Sequence, residues 1–525
     1  MYDIIIKNGT VVDGTRKKPY VANILVKDGV IKSISPNTTE SAKTVIDAKG
    51  LIVSPGFIDI HSHTDGLPFY CDFIRDCKLQ QGITTEIGGN CGTGNFPTNK
   101  QHLTDMEEYL IAKGKKGTAC ENVTDFANKV TEVGFANNVG MLVGHGALRI
   151  SVMGFVNRNP DEKEMQELEN SLDNELSRGA FGMSLGLIYP PSAFSEREEL
   201  VRLSKVIAKH GAILAVHMRN EGPKIFEAVE EMLSIAKESG VHLEISHLKL
   251  MGKPQWGRSK ELLSLIEKAI DEGVNVTCDQ YPFLASSTSL TAVVPHWAHD
   301  GGAKELYKRL LAPTEQLKKE MAKNIDDRGG ADTIMIVSAD GAPQYNTKYL
   351  SEIMQENGLC DVDAAIKILV DGNARVSCNY FCINKEDMLN IMPKLYISVG
   401  TDGAAYSYDK SKTKNVPHPR NFNTFPQYFQ CVRENNLMPI EDAVYKCTGL
   451  PAKVLNLKGR GVLTEGAVAD ITIFNKDTIK NNGNFIESRV LPDGIEYVII
   501  NGQVALKDKT VVNAKLGAGV LRTVE

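Results

Sequence analysis

Short apolar runs alternate with amphipathic helical segments through most of the chain. In residues 161–178, Met165, Leu168, Leu172 and Leu176 recur at helical spacing, and residues 258–272 form a second such segment. The apolar runs are short, as expected for strands that are buried on both faces of a parallel sheet. Alternation of this kind predicts a parallel α/β fold, and eight runs match a (β/α)₈ barrel. The eight runs are residues 51–63, 82–88, 138–144, 181–187, 212–218, 242–247, 275–281 and 395–402.

The two ends of the chain have a different pattern. Residues 4–12 and 22–34 are short strand-like runs with Asn-Gly and Asp-Gly turns, and residues 466–474 and 498–506 repeat it. We therefore expect the termini, residues 1–54 and 456–525, to form one small β-domain, with the barrel in residues 55–455.

Two long spans interrupt the alternation, and we expect both to shape the site. Residues 96–130 are charged and polar, and residues 290–345 form an insertion between the last two strands. The insertion contains a spare strand-like run at residues 333–337, which could alternatively be a barrel strand.

Composition narrows the class of protein. The 525 residues are 42% hydrophobic and 24% charged, which is typical of globular proteins large enough for more than one domain. A formal charge of −6 argues against a nucleic-acid surface. No run approaches the roughly 18 apolar residues of a membrane span. The first residues lack an export signal and the ten cysteines are scattered, so we expect a cytoplasmic protein with reduced, mostly buried thiols.

Polar residues follow the predicted barrel strands where each strand ends. His61 and His63 are two residues apart, so on a strand both would face one point. Cys91 lies among glycines after the second strand, and His145 after the third could be a ligand, an oxyanion donor or an orienting group. A single polar residue at a strand end is common. The strands of a barrel all end at one face, however, so these residues would be gathered there. Imidazoles, a thiolate and a carboxylate gathered there are a zinc-type ligand set, here His61, His63, Cys91, His217, His247 and Asp402.

Longer motifs around these residues resemble one family. The sequence is similar to the amidohydrolase superfamily and, more closely, to the N-acyl-D-amino-acid deacylases (D-aminoacylases) along its whole length. The motifs are Gly56-Phe-Ile-Asp-Ile-His-Ser-His, Gly89-Asn-Cys-Gly, Gly144-His-Gly-Ala-Leu-Arg, His217-Met-Arg-Asn-Glu, Asp279-Gln-Tyr-Pro-Phe and His418-Pro-Arg-Asn-Phe. The resemblance implies a (β/α)₈ barrel with a small β-sandwich from both termini. It also implies Zn²⁺-dependent hydrolysis of the amide bond of N-acyl-D-amino acids.

The resemblance also implies roles for individual residues. Cys91, His217 and His247 would hold one zinc tightly. His61, His63 and Asp402 would form a second, weaker position that Cys91 bridges, and Asp402 would be the catalytic base. The expected substrate contacts, mainly to its carboxylate, are Lys249, Tyr281, Ser287 and Arg420, together with His145.

One absence separates this chain from relatives that hydrolyse cyclic amides. Such relatives commonly carry a metal-bridging carboxylated lysine at the end of the fourth strand, whereas residues 181–188 contain no lysine. An acyclic N-acyl amino acid is therefore the expected small-molecule partner. Two alternatives remain open, namely a dihydroorotase- or hydantoinase-like enzyme and a non-catalytic scaffold.

Overall fold

Eight parallel strands form a barrel, as the sequence predicts. The computed structural model describes residues 1–70, 73–412 and 415–524. Two parallel sheets of three and six strands make the wall, and the third strand is interrupted at Leu142 between them. A bridge between Ser62 and Gly403 joins the first strand end to the eighth. The strands are Phe57–Asp59, Ile83–Gly88, Asn138–Met141 with Val143–Gly144, Gly182–Gly186, Ile213–His217, His242–Ile245, Val276–Gln280 and Ile397–Val399.

The opening stretch, expected as one strand over residues 51–63, is two strands in two sheets. Ile52–Pro55 pairs outside the barrel, and Phe57–Asp59 begins the barrel. The chain changes sheet at Gly56, where a Cβ atom would lie 2.2 Å from the Thr84 hydroxyl oxygen. Only glycine permits this approach. Because the stretch is divided between two sheets, the expectation of one continuous strand is wrong.

Strands from both termini form one nine-stranded sheet beside the barrel. Its inner face buries Ile4, Ile24 and Ile471. Successive neighbours in the sheet are Thr510–Val511, Gln503–Lys507, Ile495–Ile500, Ile471–Phe474, Ile52–Pro55, Tyr2–Val11, Tyr20–Lys27 and Val30–Ser35, and Ala42–Asp47 also pairs with Tyr2–Val11.

The insertion forms a separate small sheet with its own helices and adds no strand to the barrel. The spare run is the strand Ile334–Ala339, which pairs antiparallel with Val376–Tyr380, and Ser286–Ser289 pairs with the other edge of that strand. The alternative that this run is a barrel strand is therefore wrong. Four helices pack around this small sheet, namely Gly302–Leu311, Glu315–Asp326, Leu350–Asn357 and Asp361–Asp371.

The other helices mostly cover the barrel. Both predicted helices are present, and the first begins with a capping box in which Asp161 and Glu164 exchange hydrogen bonds. The nine cysteines in the described ranges are all free, and all but Cys360 are buried. Among the described residues, no helix is long and apolar enough to cross a membrane. The helices are Leu103–Ala112, Val123–Val133, His145–Met153, Glu162–Ser177, Arg197–Lys209, Ile225–Ser239, Ser259–Asp271, Lys385–Ile391, Arg420–Asn435, Ile440–Cys447 and Gly449–Val454.

Candidate metal centre and active site

Cys91, His217 and His247 meet at the carboxyl-terminal face of the barrel. The Nε2 atom of His247 lies 2.8 Å from Nδ1 of His217 and 3.5 Å from Sγ of Cys91. Zinc bonds of about 2.0–2.3 Å in a tetrahedron separate sulfur and nitrogen ligands by roughly 3.6 Å. All three side chains are buried. Two imidazole nitrogens and a sulfur that face one another in a buried site fit a zinc ion.

A second group of donors shares Cys91 with the first. His63 Nε2 lies 3.0 Å and His61 Nε2 lies 3.5 Å from Oδ1 of Asp402. The Cys91 sulfur is 3.4 Å from His61 Nε2. The ligand atoms within each group lie within 4.8 Å of one another. All six predicted ligands are therefore brought together, with Cys91 between the two groups.

Three of these residues have an unusual backbone conformation. Cys91, His247 and Asp402 have φ values of 53°, 39° and 48°, in the left-handed region that side chains other than glycine rarely occupy. Such conformations persist where the surrounding structure enforces them, and they cluster at functional sites. Here the three residues lie two or three positions after the ends of barrel strands, where the donors meet.

Two buried carboxylates that the sequence analysis did not assign orient the imidazoles. Asp279 accepts a hydrogen bond from His61 Nδ1 at 2.9 Å and from the His247 backbone N–H at 2.9 Å. Glu221 lies 3.0 Å from His247 Nδ1 and 2.5 Å from Lys249 Nζ. A carboxylate behind a ligating histidine fixes the ring and its tautomer. Asp279 is the second-last residue of the seventh strand, a detectable signal, whereas Glu221 lies in a loop four residues beyond His217.

The electrostatics keep the sulfur and the carboxylate ionised. Burial alone would raise the pKa of Cys91, but the His61 and His247 imidazoles outweigh it and hold that pKa well below its ordinary value. Burial would likewise raise the pKa of Asp402, but the Arg420 guanidinium and the nearby imidazoles hold it well below its usual range. A thiolate and a carboxylate are therefore available as ligands.

A buried lysine ties the first strand end to the eighth. Lys78 is fully buried, and its Nζ donates to Asp59 Oδ2 at 2.6 Å, to Thr401 Oγ1 at 2.5 Å and to the Gly403 carbonyl at 2.8 Å. Asp59 also accepts the Thr401 backbone N–H at 2.8 Å. This network lies directly beneath His61 and Asp402, and nothing in the sequence pattern identifies it.

The residues expected to bind substrate carboxylate lie on one side of the metal centre. Arg420 donates to Asp402 Oδ2 at 2.6 Å and to the Ser287 carbonyl at 3.1 Å. Arg420, Ser287 and Lys249 line the cavity above the centre. Tyr281 is buried behind them, with the Arg420 guanidinium 5.0 Å and the Lys249 ammonium 5.7 Å from its ring centroid. Its buried hydroxyl has no hydrogen-bond partner among the described residues.

His145 does not line the cavity, so the expectation that it contacts the substrate is wrong. The ring is fully buried, with Nδ1 at 2.8 Å from Ser192 Oγ and Nε2 at 2.7 Å from Glu199 Oε1. The helix His145–Met153 begins directly after the third strand, and this change of direction leaves the His145 ring buried away from the cavity. Since Ser192 Oγ also accepts the Gly186 N–H at 3.2 Å, His145 supports the segment that leads to Tyr189.

Both long interruptions of the barrel pattern contribute to the cavity. The cavity measures about 1010 Å³. Lys113 enters it from the first interruption, and His296 and Arg328 enter it from the insertion. Tyr189 stands over His217, with ring centroids 4.9 Å apart. Pockets for drug-sized ligands measure roughly 300–1,000 Å³, so this cavity has room for more than a minimal N-acyl amino acid.

Known proteins are similar to this chain over its whole length. The amidohydrolase family model matches residues 52–505. The D-aminoacylase of Alcaligenes xylosoxydans xylosoxydans is 30% identical over 525 residues, which are 99% of this chain and 98% of that protein. An N-acyl-D-glutamate deacylase from Bordetella bronchiseptica, solved with zinc and a phosphonate mimic of the tetrahedral intermediate, superposes with a TM-score of 0.83. It is 30% identical and covers 99% of this chain and 100% of its own.

A more distant structure shares the fold alone. L-hydantoinase from Arthrobacter aurescens superposes with a TM-score of 0.56 at 18% identity, over 99% of this chain and 100% of that chain. The end-to-end similarity to deacylases is much stronger. The chain therefore belongs to the amidohydrolase family, in the group that contains the D-aminoacylases.

Proposed function

We propose that this protein hydrolyses the amide bond of N-acyl-D-amino acids and releases a carboxylate and a free D-amino acid. The observation that carries the proposal is the pair of donor groups that share Cys91, one of which contains the Asp402 carboxylate beside His61 and His63. The substrate class is supported by relatives that are named for D-amino-acid derivatives and match the chain from end to end.

Cys91, His217 and His247 are the residues that would hold the tightly bound zinc. When bound there, zinc supplies Lewis acidity, which polarises an amide carbonyl and acidifies a water molecule. Asp402 accepts the proton of the attacking water at its carboxylate and delivers it to the leaving nitrogen. His63, at 3.0 Å from Oδ1, orients that carboxylate.

Arg420 and Lys249 hold the substrate carboxylate in this proposal. A guanidinium suits a bidentate grip on a carboxylate, and an ammonium adds a point charge. Both cations are already fixed by acids, Arg420 by Asp402 and Lys249 by Glu221, so they are positioned before the substrate arrives. Ser287 lies beside Arg420 on the cavity wall.

A second metal position on His61, His63 and Asp402 would be weaker than the first. Asp402 already forms an ion pair with Arg420 at 2.6 Å, so part of its negative charge is neutralised before a metal binds. His63 is also the most exposed of the six donors. Calorimetric titration of metal-free protein with zinc should show one tight event and a second, weaker one.

A chiral substrate screen tests the proposal. We expect zinc-loaded protein to release amino acid from N-acetyl-D-methionine at least a hundredfold faster than from the L enantiomer. Hydantoin and dihydrouracil, assayed beside them, should not be opened. Turnover of the cyclic amides, or equal rates for the two enantiomers, would refute the proposed activity.

A further inference from the structure

The turn that carries Cys91 is held from both sides by side chains that are not themselves metal donors. Cys91 has a φ value of 53°, a conformation that costs free energy and persists only where the surroundings enforce it. On one side, the Gly89 N–H donates to Oδ1 of Asp65 at 2.6 Å. On the other side, the Gly92 N–H donates to Oγ of Ser184 at 2.9 Å. Asp65 and Ser184 therefore stabilise the turn that presents the sulfur.

Asp65 depends in turn on a lysine from the first long interruption of the barrel pattern. The Asp65 side chain is fully buried, and its Oδ2 atom forms an ion pair with the Lys115 ammonium. Lys115 is buried, although its neighbours Gly114 and Lys116 are exposed. A buried carboxylate is costly without a counterion, so Lys115 stabilises Asp65 in the position where it accepts the Gly89 N–H.

The loop that contains Lys115 has a second attachment, to the segment that follows Cys91. The Thr118 hydroxyl donates to the Lys115 carbonyl at 2.7 Å and accepts a hydrogen bond from Asn95 Nδ2 at 2.5 Å. The loop is therefore linked to the chain on both sides of Cys91, before it through Asp65 and after it through Asn95.

The same loop forms part of the cavity wall. Residues 112–115 line the cavity, and the ammonium of the exposed Lys113 lies 4.9 Å from the ring centroid of Tyr189. That ring stands over His217, which belongs to the same donor group as Cys91. The loop therefore connects the turn of one zinc donor with the wall above another.

We propose that Asp65 and Lys115 are positioning residues of the metal centre, and that zinc binding orders the loop of residues 112–118. A zinc ion on the Cys91 sulfur and the Asp65–Lys115 pair stabilise the same turn, so each strengthens the other. Such coupling is reciprocal: if the pair tightens zinc binding by some factor, zinc stabilises the ordered loop by the same factor. The inference rests on the zinc position of the proposed function, but not on its substrate.

Hydrogen–deuterium exchange of the wild type, with and without zinc, measures the coupling without any substitution. We expect zinc to slow exchange in the peptide of residues 112–118 at least tenfold, since the Lys115 and Thr118 N–H groups are bonded to carbonyls in the ordered loop. The helix Asp361–Asp371, in the insertion, is the reference and should respond much less. Zinc binding that leaves exchange in residues 112–118 unchanged would overturn the proposal.

Four variants separate positioning from general stability. Lys115→Met should raise the Kd for zinc about tenfold in competition with a chelator, and zinc should no longer protect the loop. Asp65→Asn should do the same, because it removes the charge that holds Lys115, whereas Lys115→Arg keeps the charge and should restore most of both properties. Lys116→Met, at an exposed neighbour, is the matched control and should match the wild type. A wild-type Kd in Lys115→Met would overturn the proposal, as would undiminished protection of its loop by zinc.

The outcomes also separate this inference from the proposed function. Protection of the loop by zinc in a protein that hydrolyses no N-acyl-D-amino acid would support the positioning role and refute the proposed activity. Hydrolysis by the zinc-bound protein, with no response of the loop to zinc, would refute the positioning role alone. A wild type that bound no zinc would refute both.

Discussion

The Lys78 network offers a quantitative test of how the barrel holds its site. Lys78→Met removes the ammonium but keeps most of the side-chain volume, so the fully buried Asp59 carboxylate loses its counterion. Removing one partner of a buried ion pair costs about 3–5 kcal/mol, because the other charge stays buried and uncompensated. Thr401 continues to donate to Asp59 at 2.6 and 2.8 Å, which favours the lower end of that range.

The assay is urea unfolding followed by tyrosine and tryptophan fluorescence, with refolding checked by dilution. We expect Lys78→Met to lose about 3 kcal/mol of unfolding free energy. The double variant Lys78→Met/Asp59→Asn should lose less than the sum of the two single variants, since it removes both charges. Lys43→Met, which breaks an exposed ion pair with Asp3, is the matched control and should change little. Wild-type stability in Lys78→Met would refute the reasoning.

Three further outcomes follow from the structure. Asp402→Asn should retain tightly bound zinc but lower kcat by a factor of about 10²–10⁴, the range for removal of a general base; a wild-type rate would remove Asp402 from that role. Glu221→Gln should weaken zinc binding about 10- to 100-fold in competition with a chelator, since Glu221 supports His247; unchanged affinity would contradict that support. Glu175 accepts the Val123 N–H, and burial raises its pKa to about 7, so its contribution to stability is present at low pH and lost as pH rises toward 7. Relative to Glu175→Gln, the wild type should therefore lose about 2–3 kcal/mol of unfolding free energy between about pH 5 and 8, and parallel pH profiles would contradict this.

Much of the fold follows from periodicity along the chain. Strands that alternate with helices predicted the barrel, and hairpin-like runs at both ends predicted strands outside it. The break at Gly56 was missed because Ile52, Val53, Phe57 and Ile58 are apolar on both sides of it. Glycine is required there by the close approach of Thr84, a contact that no local pattern encodes.

The donors of the site could be predicted because each lies at the end of a barrel strand or in the few residues that follow it. His61, Cys91, His217, His247 and Asp402 share that position, and the barrel brings strand ends to one face. The supporting groups could not be predicted in the same way. Lys78 and Glu221 act through contacts with residues that are distant along the chain, and His145 has the right position but turns into a helix.

Zinc titration of metal-free protein, with zinc content and hydrolysis of N-acetyl-D-methionine measured on the same samples, tests the central claim most directly. We expect no hydrolysis without metal and full recovery at about one zinc per chain, the stoichiometry of one tight site of three protein ligands. Cys91→Ala should neither retain that zinc nor recover activity, because the sulfur belongs to both donor groups. Full activity in the metal-free protein, or in Cys91→Ala, would contradict the claim.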